Sequence, residues 1–141
     1  MKYIFLDIDG VLNAPGDTNL IEGVLDVEKY TLFKKLVERT NSKVVIISSR
    51  RIYKEDRNIL LKVLDDIYDS LMFISYELNF KYRCDEILHF LKSNPCSSFV
   101  ILDDIDSRYS KNEYINNHYV SINGIVGFTV NDYEKALELL K

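Results

Sequence analysis

Three short groups of oxygen-bearing side chains stand where this 141-residue chain could do chemistry. They are Asp7 and Asp9 in Phe5-Leu6-Asp7-Ile8-Asp9-Gly10-Val11-Leu12-Asn13, the pair Ser48-Ser49, and the pair Asp103-Asp104. Taken singly, an aspartate just past an apolar run is explained as a turn former or a loop cap. Three such groups, each directly after an apolar run, ask for a shared explanation. Crowded carboxylates repel one another unless a cation neutralises them, and an all-oxygen donor set suits a hard ion such as Mg²⁺. Two carboxylates two residues apart can also divide labour, one attacking as a nucleophile and the other moving protons, if their surroundings separate their pKa values.

Whether the groups meet depends on the elements that carry them. Lys2 to Leu6, Lys43 to Ser48 and Phe99 to Leu102 are continuous runs of Val, Ile, Leu and Phe, the pattern of strands buried on both faces of a parallel sheet. Leu71 to Ser75 and His118 to Ile122 are weaker strand segments. Helical spacing runs over Val27 to Arg39, Ile59 to Leu64, Asp85 to Leu91 and Asp132 to Leu140. This alternation predicts an α/β fold with right-handed crossovers, a mainly parallel sheet between two helical layers, and ligands bound beyond the carboxyl ends of the strands. All three oxygen-rich groups stand at such ends.

The motif order, apolar strand to Asp-x-Asp-Gly-Val-Leu, strand to Ser, then Leu-Asp-Asp, resembles the haloacid dehalogenase (HAD) superfamily over nearly the whole chain. Leu12-Asn13, Ile47 to Arg51, Arg83-x-x-Glu86-Ile87, Ile101 to Asp104 and Gly127-Phe128-Thr129 narrow the resemblance to the HAD domain of Swiss Army knife RNA-repair proteins. The resemblance implies a HAD-like Rossmannoid three-layer sandwich and a Mg²⁺-dependent phosphatase. Asp7 would be the nucleophile that forms an aspartyl-phosphate, and Asp9 the acid and base, also lending its backbone oxygen to the metal. Ser48 would bond the transferring phosphoryl group. Arg83 or Lys81 would neutralise it, the spacing to Glu86-Ile87 favouring Arg83. Asp103 and Asp104 would complete the metal site with Asp7, one directly and one through water, in either order. Ser49 and Arg51 would contact substrate, Arg51 holding a second phosphate or carboxylate or else forming a surface salt bridge. Asp106 is expected to cap the next turn. His89 and His118 have no partner at metal-ligand spacing and are read as bystanders.

Larger members of the superfamily carry a cap domain. Here a helix fills most of the interval from Asp7 to Ser48, and that from Ser48 to Arg83 is short, so no cap domain is expected beyond a short flap over Asn13 to Gly23. An open site suits a phosphorylated small molecule or a nucleic-acid end, or a cap supplied by a second copy in a homodimer. A dehalogenase needs neither magnesium nor Asp9. A non-catalytic module binding a phospholigand or a partner is the alternative from a different class.

Size and composition agree with one domain over residues 1–141. The 47% hydrophobic and 28% charged fractions are those of a globular protein, and no apolar run reaches bilayer length. The first strand is interrupted at Asp7, no signal peptide can be drawn, and the default location is the cytoplasm. A net charge of −4 gives no global attraction for nucleic acid. Arg50, Arg51, Lys54 and Arg57 form a local basic cluster, the common pattern of a solvated helix face. Cys84 and Cys96 lack the spacing of a zinc site and are read as reduced, packed thiols.

Overall fold

The computed structural model describes residues 1–74 and 80–141. Strands β1 (Lys2–Leu6), β4 (Lys43–Ile46), β5 (Leu71–Phe73), β6 (Ser98–Asp103) and β7 (Tyr119–Ser121) form one sheet in the order β5-β4-β1-β6-β7, every neighbouring pair parallel. The fold is a three-layer α/β sandwich, as expected. A small hairpin, β2 (Leu20–Ile21) with β3 (Leu25–Asp26), projects from the loop after β1. It overlaps the end of the expected flap over Asn13 to Gly23 and runs past it to Asp26, and no cap domain interrupts the described residues. The last residue of the expected strand over 71–75 lies outside them.

Parity along the strands sorts the core into two halves. Ile4, Leu6, Val44, Ile46, Val100 and Leu102 pack against α1 (Val27–Thr40), α2 (Lys54–Val63) and α5 (Val130–Leu139). Tyr3, Phe5, Val45, Ile47, Phe99 and Ile101 pack against α3 (Arg83–Ser93) and the single turn α4 (Glu113–Asn116). Phe5 meets Phe90 and Phe99 edge-on, the favoured aromatic geometry. No helix of the described residues is long and apolar enough to cross a membrane.

Local signals set the helix ends. The Asp26 side chain caps α1 by accepting from Lys29 N, and Thr129 and Asp132 form a reciprocal capping box on α5. Helix α2 begins five residues before the apolar spacing at Ile59 announces it, because its first turn is the charged run Lys54 to Arg57. Helix α4 is too short for periodicity to show and rests on the Asn112 side-chain cap.

A buried ion pair ties α3 to the exit of β4. Arg51 is 4% exposed and its Nη2 donates to Glu86 Oε2 at 2.6 Å. Its remaining bonds go to backbone carbonyls: Nε to Ile74 at 3.1 Å, and Nη1 to Ser48 at 3.0 Å and to Ile47. The guanidinium is thus turned inward and spent within the protein. The substrate contact and the surface salt bridge expected for Arg51 both give way to an interior pair. Removing one member of such a pair strands the other charge. Glu86→Ala is expected to cost about 3–5 kcal/mol in urea denaturation, and Glu86→Gln, which keeps a hydrogen-bonding oxygen, less.

Candidate metal and phosphate site

The register aligns Leu6 with Ile46 on one side and Leu102 on the other, so β1, β4 and β6 reach the same edge together. Asp7 leaves that edge still bonded to the sheet, its N–H donating to Leu102 O at 3.0 Å. Asp103 ends β6, and Ser48 follows β4. Oxygens of Asp7, Asp103 and Asp104 come within 4.8 Å of one another. Asp7 is 5% exposed and Asp103 0%.

Asp103 is held on every side. Its Oδ2 accepts from Arg83 Nη1 at 2.9 Å and from the buried Tyr109 hydroxyl at 2.7 Å, and its Oδ1 accepts from Ile105 N at 3.1 Å. Arg83 also lies 3.5 Å from Asp7 Oδ2. Its backbone N–H donates to Ser107 Oγ at 2.9 Å, so the loop after β6 fixes the start of α3 over the carboxylates. Lys81 is exposed, with its ammonium over the Tyr82 ring at 5.4 Å. Arg83 is therefore the cation among the acids.

Asp104 lies between two glycines. A Cβ built on Gly10 would come within 2.2 Å of Asp104 Oδ2, and one on Gly124 within 2.6 Å. Gly10 also adopts φ +81°, a conformation that a side chain would strain. Asp104 Oδ1 is buried and has no hydrogen-bond partner among the described residues, a costly state for a carboxylate oxygen. Three carboxylates against one guanidinium leave two formal negative charges. An all-oxygen cluster with an orphaned buried oxygen and that charge deficit fits a divalent cation.

Asp7 and Asp9 have opposite surroundings. Burial pushes the Asp7 carboxyl up to about 8 against the opposing pull of Arg83, with Asp103 adding to the rise. Burial likewise raises Asp104. The Asp9 side chain is 55% exposed and is held below the usual carboxylate range, chiefly by hydrogen bonds from Arg50. Asn13 organises the turn that follows Asp9: its amide donates to Asp9 Oδ1 at 3.1 Å and to Val24 O at 2.8 Å, and its Oδ1 accepts from Gly10 N at 3.0 Å. Arg83 is driven up by Asp7 and Asp103 although burial opposes it, and stays charged.

The Ser48 hydroxyl is buried and accepts from Arg50 N at 3.2 Å, capping a 3₁₀ turn over Ser49–Arg51. Ser49 is exposed on the wall of a cleft of about 580 Å³ that also borders Asp7, Asp9, Arg83 and Asp104. Pro15, Leu20 and Ile105 add apolar side chains to its lining. Asp106 accepts from Ser110 N at 3.1 Å and so caps the turn after it. His89 is exposed and His118 stacks on Phe99 with ring centroids 4.0 Å apart, both outside the carboxylate cluster. Arg50, Tyr109, Ser107 and Gly124 are the site residues that sequence reasoning did not assign. Of these only Gly124 carried a local signal, as the second residue of an Asn-Gly turn.

A parallel α/β sheet with buried acids at the carboxyl ends of its central strands defines the class, a Rossmann-like fold with a carboxylate cluster suited to a divalent ion. Residues 3–133 match the family described as the HAD domain in Swiss Army Knife RNA repair proteins, and the chain belongs to it. A comparison with curated proteins returns no match.

Two outcomes test the site. Gly124→Ala is expected to displace the Asp104 carboxylate and weaken divalent-ion affinity about 10- to 100-fold by calorimetric titration, with the fold intact. Because Asp7 holds its proton more tightly folded than unfolded, it favours the metal-free fold at low pH. That contribution is lost as pH rises from the ordinary carboxylate range toward about 8. Metal-free protein should therefore melt lower at about pH 8 than at about pH 5, and an added ion should protect more at the higher pH. Titration in buffers of different ionisation enthalpy should show about one proton released per ion bound near neutral pH.

Proposed function

We propose that this chain is a Mg²⁺-dependent phosphatase that hydrolyses phosphomonoesters through an aspartyl-phosphate on Asp7. The observation that carries the reading is the convergence of Asp7, Asp103 and Asp104 beside Arg83 at one sheet edge, in a chain of the HAD family. Asp7, Asp104 and the backbone oxygen of Asp9 would hold the ion, with Asp103 fixed by Arg83, Tyr109 and Ile105 and turned to the same cluster. When bound, magnesium would offset the negative charge of the carboxylates and of the phosphoryl oxygens.

In the first step an Asp7 carboxylate oxygen attacks phosphorus and the bond to the leaving oxygen breaks, while Asp9, once its fork to Arg50 opens and it takes a proton from solvent, passes that proton to the departing alcohol. In the second, Asp9 takes a proton from water, whose oxygen attacks phosphorus; phosphate departs and the Asp7 carboxylate is restored. Arg83 faces the equatorial oxygens, where phosphoryl transfer concentrates its need for positive charge. Ser48 accepts from Arg50 N and keeps its own proton to donate to the phosphoryl group. Ser49 lines the approach.

The open cleft, with Pro15, Leu20 and Ile105 in its lining, suits a nucleotide or a nucleic-acid end, a substrate class that the family's description, RNA repair, also favours.

A phosphate-release screen over nucleotides, sugar phosphates and phosphorylated oligonucleotides, with and without Mg²⁺, tests the reading. Asp7→Asn should abolish turnover, and Asp9→Asn should lower it about 10²- to 10⁴-fold. Turnover surviving in Asp7→Asn removes the assigned nucleophile. No release from any class, with no Mg²⁺ affinity, would leave a phospholigand-binding module instead.

A further inference from the structure

Three arginines surround the strand ends, and they are committed to different degrees. Arg51 is buried and spent on Glu86 and backbone carbonyls, and Arg83 is locked to Asp103. Arg50 instead makes a two-bond fork with one half-exposed carboxylate: Nε donates to Asp9 Oδ2 and Nη2 to Asp9 Oδ1, each at 2.9 Å. Its side chain keeps 26% of its surface exposed. The backbone beneath it is fixed, since Arg50 N donates to Ser48 Oγ at the mouth of β4. The fork is therefore a charged head on a rigid base, held by a partner that solvent already reaches.

The same planar geometry that grips a carboxylate grips a phosphate in two parallel bonds. An exposed ion pair contributes little to folding, so exchanging Asp9 for another anion costs the protein little. On the phosphatase reading, Asp9 is also the carboxylate that would protonate the leaving oxygen. An anion that takes Arg50 from Asp9 consequently stands on the leaving-group side of the reacting phosphorus.

We propose that Arg50 is a substrate-binding residue that recognises a second phosphate carried by the leaving group. It selects phosphomonoesters with a neighbouring phosphate, in a nucleoside bisphosphate or at the end of a nucleic-acid strand, over simple monoesters. This rests on the phosphatase reading for the direction of the substrate, whereas recognition itself can be measured without turnover.

The test is calorimetric binding with Mg²⁺ to Asp7→Asn and to Asp7→Asn/Arg50→Gln. The ligands are a nucleoside 5′-monophosphate, the 3′,5′-bisphosphate of the same nucleoside, and a 5′-phosphorylated dinucleotide. Circular dichroism confirms that both variants are folded. The expected result is at least tenfold tighter binding of a ligand with the second phosphate, reduced to less than threefold by Arg50→Gln, while monophosphate affinity changes little. A gain seen with the dinucleotide assigns the second anion to a strand phosphodiester, and one confined to the bisphosphate assigns it to a free nucleotide. Equal affinity for all three ligands, or a preference that persists in Arg50→Gln, overturns the proposal. Phosphate release by the wild type and by Arg50→Gln is followed in parallel. Loss of the preference without any wild-type turnover would retain the Arg50 assignment and remove the phosphatase reading. Turnover with no preference would do the reverse.

Discussion

The repulsion among Asp7, Asp103 and Asp104 is the constraint around which this molecule is arranged. Two of the three are almost wholly buried, where an ionised carboxylate is most costly. Strand parity puts Asp7 in line with Tyr3 and Phe5, and Asp103 in line with Phe99 and Ile101, so both follow the core face that α3 covers. Arg83 enters from the start of that helix, Tyr109 donates from beneath, and the two glycines leave room for Asp104. One guanidinium cannot balance three acids. The remaining charge suits the cluster to a divalent cation.

That balance requires the start of α3 to stay in place, and contacts from two directions hold it. Ser107 accepts from Arg83 N, and Arg51 reaches across from the exit of β4 to Glu86. Arg83 and Glu86 are three residues apart, on neighbouring positions of one helix face. A contact that fixes Glu86 therefore also fixes the reach of Arg83. The interior arginine thus positions the helix whose first residue meets the acids.

The parts of the fold legible in the sequence were those with continuous apolar character. The runs leading into Asp7, Ser48 and Asp103 are central strands because both their faces are covered, and that composition shows without any partner in view. Their shared edge followed from the alternation of strand and helix. The charged first turn of α2 and the single turn of α4 did not show, since neither has an apolar stripe to repeat. Within the site, Asp7, Asp103, Asp104 and Arg83 came together as their motifs suggested. Arg50 and Arg51 are adjacent and chemically identical, and nothing local separates them. Their fates diverge because Glu86 and the Ile74 carbonyl wait in the interior for one, while Asp9 waits outside for the other. Tyr109 and Ser107 reach the site from a loop whose path no pattern encodes.

The contrast between Asp7 and Asp9 follows from where the chain leaves the sheet. Asp7 is still hydrogen-bonded to Leu102, with strands on both sides, so its carboxyl stays inside. Gly10 then turns the backbone at positive φ, and Asn13 ties that turn to Val24, which places Asp9 beyond the protein wall. Two residues of chain are enough to carry one carboxylate from a buried environment that favours its proton to an exposed one that favours its charge. An added cation acts on the buried member far more than on the exposed one, because the interior screens charge less than water does. The spacing Asp-x-Asp-Gly thus works as a boundary marker: the first acid belongs to the sheet and the carboxylate cluster, the second to the solvent and the cleft.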